Sequence, residues 1–517
     1  MNILDVKKIL AGSLAIVMCF GMAACGNDDD DDDDDDDRSS KRTHSRSKDS
    51  SEDESEDEDG DIDPFGNKDS DDDSSETIPD RDEPVEVVEE VPNEYADVLP
   101  QIQLDNATVK WCAHYDINPI AGEDAAPALR LFRQQYNGDI QHIFAAWDDR
   151  YDKLAALIIS QDSPDLFPAD DMDSMPKGVI KGMFQPVDDY IDFGSELWQD
   201  VAALNDGLAL KGKHYLCATG AAPNYVCYYN TATIRKNGFD DPAKLYYNNE
   251  WTWSKFTEMC TAFTDPDREL FGIDGYWYSN ALNDTCGMPL IGIENGKFVN
   301  NMSDPNVCRV QDLMYDFQKK GLCFDRANNG WSTRGVGDTG DGLGSYQTLF
   351  IPAGLWAIEY EPNNTTLFGD IYSDEIMFVP MPRMDDSDTY YVSGRINGFH
   401  IVQGASNPAG AAAYISCVKA TKDETEQLTE EVLRDKYCWN DDMIKMREEI
   451  FGLLEKHPVI DFQNGLPTED KSDDFYLMSN VGAATMSTGG YATTWDECRD
   501  SYEKLVDYYV KKANDSF

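Results

Sequence analysis

The sequence predicts an α/β protein of mostly parallel sheets with flanking helices, and three observations carry that expectation. An apolar, β-prone run at 107–113 (ATVKWCA) precedes a helical pattern over 125–136, where Leu129, Phe132, Arg133 and Tyr136 recur at helical spacing. The alternation then repeats: a strand pattern at 140–146 leads into an amphipathic face of Tyr151, Leu154, Ala155 and Ile158, which stops at a Ser-Pro-Asp turn. Strand, helix, strand, helix in that order argues a parallel sheet, because parallel neighbours need a crossover. Third, residues 212–253 read as a strand at 224–229, a short helix, a Gly-Phe-Asp-Asp-Pro turn and a helix start at Trp251-Thr252-Trp253. The chain has 517 residues, 41% hydrophobic and 11% aromatic, enough for a substantial core and roughly two to three domains.

The N-terminus reads as a targeting segment. Lys7 and Lys8 precede an apolar run at 9–22 and then Ala23-Ala24-Cys25-Gly26, the pattern of a signal peptide over residues 1–24. The run is too short for a transmembrane helix. Met22-Ala23-Ala24-Cys25 resembles the bacterial lipobox, which implies that Cys25 becomes the lipidated first residue of the mature chain. Asp28 to Asp37 is unbroken aspartate. Residues 26–94 hold about 32 acids against about 7 bases, roughly -25 of the formal net charge of -56. Such a segment buries too little apolar surface to fold, so 25–94 reads as a lipidated cysteine and a disordered acidic tether. A cation sponge is the alternative reading, although these carboxylates are not preorganised. The rest of the chain is acidic too, which argues against nucleic acid as a partner, since phosphate binding needs clustered Lys and Arg.

Signatures of catalysis are sparse. There is no GxSxG, no HExxH and no Walker loop. Asp192-Phe193-Gly194 lacks its kinase partner motif, and the glycine-rich 335–345 lacks Gly-Lys-Ser/Thr and reads as a mobile loop. Asp265, Asp267 and Glu269 have calcium-loop spacing, but Leu270 stands where the turn glycine belongs. The paired acids Asp148/Asp149, Asp170/Asp171 and Asp385/Asp386 read as solvated faces in so acidic a chain. Of twelve cysteines, ten remain once Cys19 and Cys25 are set aside; several sit singly in apolar runs such as YVCYY and YISCV, as small hydrophobes do, and their spacing leaves pairing open. No catalytic residue, metal or cofactor is expected. Trp147, Trp277, Tyr278, Trp331 and Trp356 lie beside loops or polar residues. Flat aromatics with nearby carboxylates or amides suit the apolar faces and hydroxyls of sugar rings, although Trp is as readily a core residue.

The 212–253 order, with its GK-x-Y, YN, G-x-x-x-P and W-T-W steps, resembles the lobe crossing of extracellular solute-binding proteins of ABC importers. Further motifs follow the family's order. Ile159 to Phe167 resembles its helix end and "PD-l-f" strand, with Gln161 in place of the usual glycine. GMFQPVDDYID (182–192) resembles a helix start, 346–360 a helix-strand unit, 378–382 the "P-x-P" strand end, and 391–413 a strand and helix start. The resemblance covers roughly 105–515 and implies a two-lobed, periplasmic-binding-protein-like fold with an interlobe cleft. The N-terminal lobe would take 95–222 plus about 393–440, and the C-terminal lobe 223–392 plus about 441–517. The sugar-type, maltose-binding-protein-like branch implies ligand contacts at Tyr115, Asp116, Asp170, Asp171, Asn224, Trp277, Tyr278, Trp356 and Arg395, to which the aromatic reading adds Trp147 and Trp331. The implied protein is a monomer without enzymatic activity, tethered by Cys25 to the outer face of the cytoplasmic membrane. It would capture a solute, most readily an oligosaccharide, and deliver it to permease subunits. The same fold binding a peptide, polyamine or organic anion is the runner-up, and a surface glycoside hydrolase the more distant one.

Overall fold

The computed structural model describes residues 95–120, 124–147, 149–169, 174–275, 277–325, 329, 332–338, 344–359, 365–373, 375–466, 481–482 and 494–517. The segment read as a signal peptide, Cys25 and the acidic run lie outside the described residues, as do Asp148, Asp170, Asp171 and Trp331.

The first alternation forms as its pattern requires. β1 (Thr108–Ala113) lies parallel to β2 (Asp139–Phe144), in register from Thr108 opposite Asp139 to Ala113 opposite Phe144. β3 (Leu166–Pro168) pairs parallel on the other side of β1. Between them run helix α1 (Pro127–Tyr136), opened by a proline that has no N–H to waste, and α2 (Arg150–Ile159). Asn137 ends α1 in the left-handed region, where a short polar side chain is tolerated. α1 buries Phe132 against Tyr414, with ring centroids 5.5 Å apart.

The remaining strands distribute over two larger sheets and a ribbon. β4 (Cys217–Pro223), β11 (Val392–Ile401) and β12 (Pro458–Val459) complete a six-stranded sheet of order β12-β11-β3-β1-β2, with β4 beside β11. β5 (Val226–Asn230), β6 (Phe271–Ile273), β9 (Thr348–Ala353) and β10 (Ile376–Val379) make a four-stranded sheet, β10-β5-β9-β6. β7 (Ile291–Glu294) and β8 (Lys297–Asn300) form a two-stranded ribbon. Helices α3 (Trp253–Phe263), α4 (Tyr278–Asp284) and α5 (Pro305–Lys319) belong to the small-sheet side, where Phe256 meets Phe317 and Phe350 at 5.7 and 4.9 Å. Helices α6 (Pro408–Ala420), α7 (Asp441–Lys456) and α8 (Trp495–Ser516) follow the second passage. The Trp-Thr-Trp signal works by capping: the Thr252 hydroxyl accepts from the Lys255 N–H.

Four details differ from the sequence reading. The sheets are mixed: β2, β1 and β3 run parallel, but β11 is antiparallel to both β3 and β4, and β5 is antiparallel to β9 and β10. Strands that arrive from the other lobe enter from the opposite end, so crossovers do not set their direction. The run at 224–229 is not one strand; Asn224 and Tyr225 separate β4 from β5, which belong to different sheets. Residues 182–192 start no helix. Phe184 instead bridges Val402 in antiparallel fashion, and the Asp188 carboxylate accepts from the backbone N–H and the ring of His214, which ties this segment to the following hairpin. The 346–360 unit is strand then helix, β9 and then a short helix at Trp356–Glu359.

Candidate functional site

Four strand ends, two per sheet, collect most of the described candidates. On the six-stranded sheet the chain leaves the carboxyl end of β1 through His114, Tyr115 and Asp116, and the end of β2 through Trp147. Carboxyl ends of parallel strands are where open α/β sheets bind ligands, in the crevice left where the strand order reverses. The His114 ring bridges the two loops, edge-on to Tyr115 and to Trp147 with centroids 4.9 Å from each. Arg150, the first residue of α2 and buried, lays its guanidinium 3.7 Å from the Trp147 ring centroid and 4.8 Å from that of Tyr151. It also donates to the Trp147 carbonyl. Burial, Arg150 and His142 together push the His114 imidazole down to about 4, so it is neutral at physiological pH. Asp116 is exposed and accepts from the Asn118 backbone and side chain. The result is a rigid half-buried aromatic shelf with a carboxylate at its edge.

The four-stranded sheet builds a second shelf the same way. β6 and β9 are parallel neighbours, and Trp277 and Trp356 follow their respective ends. Both rings are half-buried and meet edge-to-face, centroids 5.5 Å apart at 88°. Gly275 makes the turn after β6 at φ +119°, a conformation side chains rarely adopt. A Cβ on Gly354 would strike the Trp356 indole, so glycine lets that ring fold back over the backbone. Tyr278 departs from expectation: it is 4% exposed and belongs to the core, because as the first residue of α4 it points into the helix packing and not the loop.

Asn224 and Arg395 meet a third group at the lobe crossings. Asn224 donates its backbone N–H to the Ser393 carbonyl at 2.7 Å, and β4 and β11 run side by side with Arg395 opposite Ala222. Between them lies Tyr225, whose hydroxyl is raised by burial and by Asp284 and Asp461, against the opposing effects of Asn224 and Arg395. Sequence reasoning missed His114, Arg150, Tyr225, Asp284 and Asp461. The signal for the first two was adjacency to strand ends already recognised; for the last three it was absent, since their neighbours are remote in sequence. Asp386, read as half of an acidic pair, is an exposed partner of Arg309 at 2.7 Å. Among the described residues no group of three or more His, Cys, Asp or Glu is placed to hold a metal ion.

A family model described as bacterial extracellular solute-binding protein matches residues 128–430. The chain belongs to this family. The match takes in the four-stranded sheet, all of the six-stranded sheet but β1 and β12, and both passages between them. No curated protein matches the sequence. Among solved structures, the chain is similar to a cyclic α-maltosyl-1,6-maltose binding protein from Arthrobacter globiformis, at 12% identity and a TM-score of 0.55, covering 79% of this chain and 100% of that one. A cyclo/maltodextrin-binding protein complexed with maltotetraose aligns at 14% identity and a TM-score of 0.51, covering 78% and 98%. An ABC substrate-binding protein from Listeria monocytogenes, in complex with cycloalternan, aligns at 14% identity and a TM-score of 0.50, covering 80% and 99%. At such identities these likenesses establish the fold, a two-lobed solute-binding architecture. No helix among the described residues is long and apolar enough to cross a membrane.

Proposed function

We propose that this solute-binding protein captures an oligosaccharide between its two aromatic shelves and presents it to an ABC permease. The observation that carries the reading is the pairing of shelves at strand carboxyl ends, Tyr115 and Trp147 through His114 on one sheet, Trp277 against Trp356 on the other. Pyranose rings expose C–H faces that stack on such aromatics, while Asp116, Asn224 and Arg395 supply polar contacts for hydroxyls. Asp170, Asp171 and Trp331, which lie outside the described residues, belong to the same proposed set. The similar structures solved with maltotetraose and cycloalternan support this class of ligand. Closure of the lobes around the sugar would gain contacts that the open state lacks and so mark the loaded receptor for the permease. Lobes at 95–222 plus about 393–440 and 223–392 plus about 441–517, and a monomer tethered through lipidated Cys25, belong to the same reading. No catalysis is proposed.

The test is a thermal-shift screen of the full chain against oligosaccharides, short peptides, polyamines and organic anions. A ligand at about 100 times its Kd adds roughly 2.7 kcal/mol to the native state. Stabilisation by one sugar series without release of shorter sugars is the expected result. Stabilisation by peptides or polyamines alone would replace the ligand, and sugar hydrolysis would replace the function.

A further inference from the structure

β6 is the outer strand of the four-stranded sheet, and beside its first residue, Phe271, opens a cavity of about 390 Å³. That volume is within the range of small-molecule pockets, and no residue of either aromatic shelf lines it. Its walls come from three separate stretches. In the first, Asp265 and Leu270 exchange both backbone hydrogen bonds, at 2.9 and 3.0 Å, and close a tight loop that carries Glu269 at φ +55°. This is the acidic stretch with calcium-loop spacing but no turn glycine. Glu269 is exposed, and its carboxylate accepts from the Gln347 side chain at 3.3 Å. In the second, the segment after α5 follows β6: Cys323 bridges Ile273 in parallel fashion, and Phe324 and Asp325 come next. Phe324 packs edge-on to Phe271, ring centroids 5.1 Å apart. The third stretch supplies Arg334, whose backbone N–H donates to the Asp274 carboxylate at 2.6 Å.

Arg334 sets the chemistry of this cavity. Its half-buried side chain lays the guanidinium 4.2 Å from the Phe324 ring centroid. A cation–π contact holds such a charge in place without neutralising it. Among the described residues Arg334 forms no ion pair, and its Nε is buried with no hydrogen-bond partner. A planar guanidinium with donors to spare matches a carboxylate through two parallel bonds. The cavity also presents the opposite charge, at Glu269 and Asp325, and neither acid pairs with Arg334. A lone anion would meet both acids, and a lone cation would meet the arginine. A small molecule that carries a carboxylate and an ammonium a few bonds apart satisfies both, with its side chain against Phe271 and Phe324. We propose that this cavity is a second binding site, for a free α-amino acid, whose carboxylate pairs with Arg334 and whose ammonium faces Glu269 and Asp325.

The second site stands or falls independently of which solute the shelves take. Calorimetric titration of the full chain tests it with L-leucine and L-phenylalanine, and with the single-charge analogues N-acetyl-L-leucine and L-leucinamide, each up to about 10 mM. The expected result is binding of both amino acids, with each analogue at least about tenfold weaker than leucine. Arg334→Gln should weaken leucine at least about tenfold, and Glu269→Gln combined with Asp325→Asn should weaken it while sparing N-acetyl-L-leucine. No binding of either amino acid, an analogue that binds as well as leucine, or undiminished affinity in Arg334→Gln would overturn the proposal. Loss of leucine binding in Trp277→Ala but not in Arg334→Gln would place the amino acid at the shelves and overturn it too. Should Arg334→Gln fail to fold, the acid double variant decides, and leucine affinity equal to wild type there overturns the site.

Discussion

Both aromatic shelves lean on a buried arginine, but at different removes. On the large-sheet side Arg150 lies directly on the Trp147 ring. On the small-sheet side Trp356 opens a four-residue helix whose last residue, Glu359, pairs with Arg447 of α7 at 3.1 Å, both side chains being almost fully buried. Arg447 also pairs with Glu426. One ring is thus fixed through its π face, the other through the backbone that carries it. A ring held by its face loses order when the cation goes; a ring held through its helix loses order only if the helix shifts. Substitutions can therefore separate stability from binding differently on the two sides.

The largest effect is expected at Arg447→Ala, which leaves Glu359 buried without its partner and should cost about 3 to 5 kcal/mol in urea unfolding. Arg447→Met with Glu359→Leu should recover much of that loss, because an apolar pair of similar volume avoids the desolvation cost. Arg150→Ala comes next, at about 2 kcal/mol from the desolvated cation–π contact, with a loss of solute affinity because Trp147 is no longer held. If Arg150→Ala keeps full affinity in calorimetry, the direct brace is structural only and the comparison fails on that side.

Trp277→Ala and Trp356→Ala should each weaken binding of the solute found by screening by roughly 30-fold, a hot-spot loss of about 2 kcal/mol. Their double variant should lose less than the sum, since each ring already loses its brace when the other is cut. Strictly additive losses would show two independent contacts and no shelf. The smallest effect belongs to His114. Its imidazole is held down to about 4 against an ordinary 6.5, so the unfolded chain binds the extra proton and stability falls as pH drops through that interval. His400, buried, stacked on Phe184 and likewise lowered to about 4, acts in the same direction. Between pH 7 and pH 4.5, His114→Gln should lose less stability than wild type by on the order of 1 kcal/mol. An identical loss would place the whole effect on His400.

Periodicity and capping are short-range properties, and where they decided the structure the sequence was readable. The 107–113 and 140–146 strand patterns became β1 and β2, the Thr252 cap began α3, and Asn407, whose side chain accepts from the Gly410 N–H, began α6 where Ser-Asn-Pro announced a helix. The apolar settings of Cys227 and Cys417 were enough to read them as small core hydrophobes, and both are buried free thiols. The candidate site was readable only at one step removed. Trp277 and Trp356 could be picked out as aromatics beside loops, yet Tyr278, the very next residue, turned inward because α4 had already begun.

What the sequence by itself determined is the strand-helix alternation at 107–159 and the capped helix starts at Thr252 and Asn407, because each is encoded in residues a few positions apart. Only the tertiary structure decided which strands run antiparallel, that 224–229 breaks between two sheets, and that the Asp461 carboxylate accepts from the Leu290 N–H. Those facts depend on groups brought together from distant parts of the chain by sheet pairing. The electrostatics of a buried site follow from who is adjacent in space and how little water remains there, and neither is written in local sequence.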